Sequence, residues 1–166
     1  MVELTYRDLL PDDADQLHAI VSDWAVVRQL GGWPWPADQA FTRSRCKPYD
    51  GDGFVWAVCA DGTLCGTLGI TNGDIGYMYH PAFGGQGIAG RAATAAITHA
   101  FATTKRDVLT GSTWWDNPAS YRVLQKLGFV HWQTRYVRAK ARGLPTPCNE
   151  LRLTRADWDR LRSTAQ

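Results

Sequence analysis

From Val2 to Tyr6 apolar and polar residues alternate, a period of two that predicts a first strand. Pro11-Asp12-Asp13 then opens a helix, with acidic residues in the first turn where the helix dipole favours them. Leu17, Ile20, Val21 and Trp24 follow at helical spacing. The run Gly31-Gly32-Trp33-Pro34-Trp35-Pro36 breaks regular structure and reads as a loop carrying two large rings. A short helix is expected from about Ala37 to Cys46. Three strands come next, Phe54 to Ala60, Leu64 to Thr71 and Ile75 to Tyr79. The Asp61-Gly62 and Asn72-Gly73 pairs between them are hairpin turns, so the middle of the chain is an antiparallel meander.

A glycine-rich segment leads into an alanine-rich helix from about Gln86 to Thr104, its inner face built from Ala89, Ala92, Ala96, Ala100 and Phe101. Val108 to Thr113 reads as a strand. Asn117-Pro118 starts a further helix as N-cap and first-turn proline, and Gly128 ends it. Phe129 to Val137 reads as a strand, Arg142 to Pro147 as a loop and Glu150 to Leu153 as a last strand. Thr154 then caps a terminal helix carrying Trp158 and Leu161. Strands mixed with helices in this order predict an α/β sandwich of layers.

The 166 residues are 45% hydrophobic and 20% charged, which fits one domain spanning 1–166 and excludes a disordered chain. A net charge of +2 does not mark a nucleic-acid binder. No apolar run reaches the ~18 residues of a membrane span, and no signal peptide is visible at the start. Cys46, Cys59, Cys65 and Cys148 form no CxxC pair, so reduced thiols in a cytoplasmic protein are expected. The histidines show no metal-ligand spacing, so no metal is expected. The eight tryptophans imply either a generous core or an aromatic-walled pocket. Trp24, Trp56, Trp132 and Trp158 fall on strand or helix patterns and are assigned to the core. Trp33 and Trp35, and Trp114 and Trp115, form two pairs outside those patterns.

The richest chemistry lies between Ile75 and Gly90, where a strand feeds a glycine loop and the loop feeds a helix. Glycines let successive amides converge, and a helix start adds free N–H groups and positive potential, which together suit a phosphate or pyrophosphate. A tight turn that uses glycine only for its dihedrals is the other reading. Gly85-Gln86-Gly87-Ile88-Ala89-Gly90 is also a literal dinucleotide fingerprint, with Asp107 downstream as its acid. The context excludes it, because the preceding strand belongs to a hairpin meander and Asp107 opens its strand.

The glycine run resembles the acyl-CoA-binding loop of the GCN5-related N-acetyltransferases, Gln/Arg-x-x-Gly-x-Gly/Ala. Gly84, Gly87 and Ala89 stand at its marked positions. Asn117-Pro118-Ala119-Ser120, followed by Lys126-Leu127-Gly128-Phe129, resembles the family's next motif. Ile75-Gly76-Tyr77 before His80-Pro81, with the ending Leu153 to Trp158, is similar to the RimJ/RimL branch. The resemblance covers nearly the whole chain and implies a mixed central sheet with an antiparallel meander and helices on both faces. It further implies acetyl-CoA as cosubstrate, a primary amine as acceptor, no nucleic-acid or membrane partner, and a monomer or homodimer.

Site residues follow from the same resemblance. Met78, Tyr79 and His80 lie along the strand edge where the pantetheine arm and the thioester oxygen would bond. Gly85, Gln86, Gly87, Ile88, Ala89 and Gly90 would hold the pyrophosphate, with Asn117, Arg122, Lys126 and Arg91 available to the rest of the cofactor. Many relatives place a thiol-protonating tyrosine where Leu124 stands, so Ser120 inherits that role and Tyr121 is the next choice. Asp74 is the candidate base, beside His80 or a water relay. Trp33, Trp35, Trp114 and Trp115 would wall the acceptor pocket. The acceptor is left open between a protein N-terminus and a small amine such as an aminoglycoside, and a non-catalytic acyl-CoA-binding module is the rival reading.

Overall fold

The computed structural model describes residues 2–164. Strand β1 (Leu4–Asp8) pairs antiparallel with β2 (Gly53–Ala60), β2 with β3 (Thr63–Thr71), and β3 with β4 (Asp74–Tyr79). Both meander turns have two residues at positive φ, Asp61-Gly62 and Asn72-Gly73, the twist that tight hairpins require. Strand β5 (Val108–Trp114) joins β4 in parallel, and β7 (Pro145–Thr154) lies between β5 and the edge strand β6 (Val130–Arg138). The sheet order is therefore β1-β2-β3-β4-β5-β7-β6.

Helices cover both faces, as the resemblance implies. On one face α1 (Ala14–Val21) brings Leu17, Ile20 and Val21 onto Ala57, Cys59 and Met78, while α2 (Trp24–Val27) and α3 (Gln39–Arg45) flank it. Arg7 clamps the start of this layer, donating to both carboxylate oxygens of buried Asp13 at 2.7 Å. On the other face α4 (Ile88–Thr103) lays Ala92, Ala96, Ile97 and Ala100 on Val58, Leu68 and Leu109. Small side chains let that helix approach the sheet closely. The helices α5 (Pro118–Lys126) and α6 (Arg155–Thr164) complete this layer through Leu124 and Trp158. All four cysteines are free and buried, and burial pushes the Cys65 thiol up to about 11.

Four local expectations change. The alanine-rich helix begins at Ile88 rather than Gln86, and Ala89 is only half-buried. The first helix ends at Val21. Asp23 then accepts the Ala25 N–H at 2.8 Å and starts a separate short helix, which turns Trp24 out of the core stripe. Residues 145–147 belong to β7, because β6 continues to Arg138 and pairs with Pro145. Trp132 is exposed rather than in the core, since β6 is an edge strand whose residues, Val137 apart, are all exposed. Its ring stacks instead under the Arg152 guanidinium, 3.4 Å from the centroid.

Two devices shape the centre of the sheet. β4 and β5 pair only at Asp74↔Thr110 and Ile75↔Gly111, and then diverge. At Gly111 an added Cβ would lie 2.9 Å from Ile75 Cγ2 and 3.1 Å from Leu124 Cδ1, so the bare backbone admits these two side chains at the point of divergence. The helix carrying Leu124 is fixed at both ends. Asn117 Oδ1 accepts the Ser120 N–H at 3.1 Å, and Gly128 at φ 91° closes the other end, with Gly128 N–H bonding Gln125 O and Phe129 N–H bonding Leu124 O. A Gly128→Ala change places an L residue in the left-handed region and drives its Cβ to 2.3 Å from Leu161 Cδ1. It should destabilise the protein by about 1–2 kcal/mol, read as a lower urea midpoint with unchanged m-value.

Candidate active site

The divergence of β4 and β5 leaves a wedge in the middle of the sheet. His80 N–H donates to Cys65 O on the β3 side, and Thr110 N–H donates from β5 to Gly73 O. Backbone direction alternates along a regular strand, so Met78, like His80, turns its N–H and C=O towards β3. Tyr77 and Tyr79 turn theirs towards β5, where no pairing strand remains. The open-edge donors are therefore those of Tyr77 and Tyr79, one residue off the Met78–Tyr79 pair expected from sequence.

A cavity of about 320 Å³ occupies this wedge, and Asp74, Tyr77, Ser120, Leu124, Arg135 and Glu150 are among its walls. Ser120 Oγ lies 2.8 Å from Tyr77 Oη, which also approaches the Ser120 carbonyl at 3.4 Å. The side chain of Tyr121 does not reach the cavity and packs against the core below α4. Burial pushes the Tyr77 pKa up, opposed by the Ser120 bond, so the phenol stays protonated at neutral pH. Tyr77 is a candidate site residue that sequence reasoning missed. Its signal was the period-two pattern of β4, which puts Tyr77 on the same face as Ile75, towards α5.

Two carboxylates share the cavity in different states. Asp74 is accessible but crowded. Reduced hydration raises its pKa and the Glu150 carboxylate adds to the rise, against a 2.7 Å hydrogen bond from Thr110 Oγ1 and the Arg135 charge. Glu150 is held the other way, lowered by a 2.6 Å bond from Gln133 Nε2 and by its ion pair with Arg135. The two shifts are opposed, so Asp74 takes up a proton more readily than Glu150, which its neighbours hold as an anion.

The glycine loop enters α4 from the same end of β4. Gly85 and Gly87 have φ of 75° and 71°, and a Cβ at either would meet nothing within 4 Å, so the loop is open to an approaching group. Gly87 is the N-cap and no side chain caps the helix, which leaves first-turn amides at Ile88, Ala89 and Gly90 available to an anion. Gln86 is exposed on the loop and its side chain folds back to Ala82 O. His80 is engaged as the cap of a single 3-10 turn, its Nδ1 accepting the Ala82 N–H at 3.1 Å. Asn117 caps α5, while Arg122 and Lys126 lie exposed on the outer side of that helix. Arg91 points inward rather than to the loop: its Nη1 is buried, and its charge counters the burial-driven rise of the Tyr6 pKa.

A larger cavity of about 580 Å³ adjoins the wedge on the α1–α3 face, sharing Leu30, Gly31, Gly76 and Tyr77 with it. Trp33 lines this cavity and meets Phe41 edge-on at 5.3 Å between centroids. Trp114 lines the smaller cavity but is itself buried against Ala139 and Cys148. Trp35 packs on Trp24 and lines neither cavity, and Trp115 projects outward, 63% exposed. The four tryptophans are thus not one wall.

An ionic brace holds the loops around both cavities. Asp116 pairs with Arg28 and, at 2.8 and 3.0 Å, with Arg142. Arg142 also donates to Arg28 O and Gln29 Oε1, and Trp114 Nε1 donates to Gln29 O at 3.1 Å. Three distant segments are tied at one carboxylate.

A split central sheet, a glycine loop at a helix start and a hydroxyl-bearing helix across the split define an acyltransferase fold. The family model for the acetyltransferase (GNAT) domain matches residues 3–130, and the chain belongs to that family. RimL, the ribosomal L7/L12 α-N-protein acetyltransferase solved with coenzyme A, is similar in structure, with TM-score 0.75 at 20% identity over 91% of this chain and 93% of that one. Mycobacterium smegmatis RimJ with a CoA disulfide gives 0.79 at 17% over 98% and 89%. The microcin C7 self-immunity acetyltransferase MccE, solved with acetyl-CoA and AMP, gives 0.76 at 15% over 92% and 92%. No curated protein sequence is similar enough to count as a match.

The brace carries a stability prediction. Arg142 holds the Asp116 pKa below the usual carboxylate range. A lowered folded pKa gives stabilisation that is full above the unfolded value of about 4 and is lost as pH falls through the folded value. Asp116→Asn should lower the melting temperature at pH 7 by about 2–8 °C, and the gap from the native protein should narrow steadily as the pH is brought below about 4.

Proposed function

We propose that the chain is an N-acetyltransferase that moves an acetyl group from acetyl-CoA to a primary amine by direct attack on the thioester. The observation that carries this reading is the meeting of Asp74, Tyr77 and Ser120 in one cavity at the unpaired edge of β4. The CoA-bound family neighbours support the choice of cosubstrate.

Acetyl-CoA supplies the acetyl group as an activated thioester. The residues of this chain then divide the work. First-turn amides of α4 and the Gln86–Gly87 loop hold phosphate. The Tyr77 and Tyr79 backbone groups hold the pantetheine arm, and an N–H from this edge faces the carbonyl oxygen as charge builds. Asp74, directly or through one water, takes the proton that the amine must lose as the C–N bond forms. Ser120 Oγ–H protonates the sulfur as the C–S bond breaks. Tyr77 Oη, hydrogen-bonded to Ser120, supplies the next proton in line and keeps the serine hydroxyl aimed at the cleft. The start of α5 favours negative charge at that position.

A non-catalytic acyl-CoA-binding module was the rival because Leu124 replaces the expected tyrosine. The Tyr77 hydroxyl bonded to Ser120 restores a phenol to the site from β4, which favours the enzyme. The same reading places the protein in the cytoplasm, where its thiols stay reduced.

Ser120→Ala should lower kcat by roughly 10- to 100-fold with the acetyl-CoA-induced rise in melting temperature retained. Tyr77→Phe should cost less than that. Full activity in Ser120→Ala removes the serine from the mechanism. In the native protein the rate should climb as pH rises through the elevated Asp74 pKa, because the base works deprotonated. Asp74→Asn should abolish that limb of the kcat/KM profile. Gly87→Trp should lose acetyl-CoA binding by calorimetry, since its bulk closes the backbone approach. Thermal stabilisation by acetyl-CoA without CoA release on any amine would hand the assignment to the binding module.

A further inference from the structure

Resting on the acetyltransferase reading, we infer that the acceptor is a compact amine with an apolar, flat body and an anionic group at the end away from the amine. The larger cavity, about 580 Å³, has the size of small-ligand sites. Its inner end at Gly76 and Tyr77 opens into the wedge where the carboxylates Asp74 and Glu150 lie, the end that suits an ammonium about to lose its proton. Its middle is apolar and aromatic, with Leu17, Val55 and Met78 beneath and Trp33 and Phe41 at the side.

The outer end has the opposite charge. Arg45 lines the cavity, its Cζ 5.9 Å from the centroid of Phe41, and Lys140, outside the lining, sets its Nζ 4.7 Å from the same ring, so two cations flank one of the cavity's walls. Neither meets a carboxylate within 4.0 Å among the described residues. Lys47, also in the lining, is paired to Asp50 at 3.3 Å and contributes little net charge. From the adjoining wedge outward, the path therefore runs from two carboxylates, of which Glu150 is paired to Arg135 and Asp74 is not, through the aromatic middle to the cations beside Phe41. An amine bearing a carboxylate or phosphate matches that gradient along its length. A polycationic acceptor such as an aminoglycoside opposes it at the outer end.

The test uses matched amines on the full-length protein with acetyl-CoA, following CoA release and product mass. Phenylethylamine is compared with 4-(2-aminoethyl)benzoate, and tyramine with tyramine phosphate, so that the amine and ring are constant and only the far group changes. A linear polyamine and a peptide with acidic second and third residues complete the panel. The anionic member of at least one pair should exceed its neutral partner roughly fivefold to tenfold in kcat/KM, through KM, and the advantage should shrink as salt is added. The pair that shows it separates carboxylate from phosphate as the recognised group. Arg45→Gln with Lys140→Gln should erase the advantage, bringing the kcat/KM of each anionic amine down to that of its neutral partner through a rise in KM. Equal or better turnover of the neutral partners or the polyamine overturns the inference, and so does a peptide that outruns both small anions. Any of those results leaves the acetyltransferase reading standing. That reading itself fails on a different result, the absence of CoA release with every amine.

Discussion

Everything at the centre of this protein follows from β4 and β5 parting after two pairs. A parallel pairing continued to Tyr79 would consume the backbone groups of Tyr77 and Tyr79 and fill the cavity between the strands. Unmade backbone bonds are costly unless another partner satisfies them, so a sheet that gives up pairing in its middle is built for a guest or for water. The parting is enforced rather than loose. Ile75 and Leu124 occupy the space over Gly111, and α5 is pinned by Asn117 at its start and Gly128 at its end. The same pins set the direction of Ser120, three residues into the capped turn. The split in the sheet and the position of the Ser120 hydroxyl are thus one construction.

Charge is distributed with the same economy. Asp74, Glu150 and Asp116 all lie within or beside the cleft, yet each titrates differently because each has different neighbours. Crowding without a cation of its own raises Asp74. Gln133 and Arg135 hold Glu150 ionised, and Arg142 with Arg28 holds Asp116 ionised. One carboxylate is pushed towards protonation, one is held ionised beside it, and one fastens loops. Pairs whose surroundings push their pKa values apart are how a site separates base chemistry from structure at one pH.

Much of this could be read from the chain. The two hairpin turns, the capped α5 and the glycine loop are written in local chemistry, where Asn-Gly, Asn-Pro and Gly-x-Gly constrain the backbone whatever surrounds it. The failures have a common cause in long-range placement. Trp132 falls on a strand pattern that assigns it to the core, but the position of β6 at the sheet edge leaves it uncovered. Trp24 continued the spacing of α1, but Asp23 caps a new helix there. Trp35 and Trp115 looked like partners of Trp33 and Trp114, but neighbours in sequence diverge in direction on a loop. Tyr77 was missed because its partner lies 43 residues away and only the sheet brings α5 across it.

That division has a physical basis in how the two halves of the site are made. One half of the cleft is built from backbone: a strand edge, a helix start and a glycine loop. Such a surface depends on a few residues that must be small or must cap, so most of the side chains around it are free to vary without altering it. The larger cavity is instead walled by side chains from separate segments, Trp33 on the loop after α2 and Phe41 and Arg45 on α3. A change at exposed Arg45 would alter the charge of that cavity while leaving in place the wedge, which Gly111 and the two ends of α5 hold.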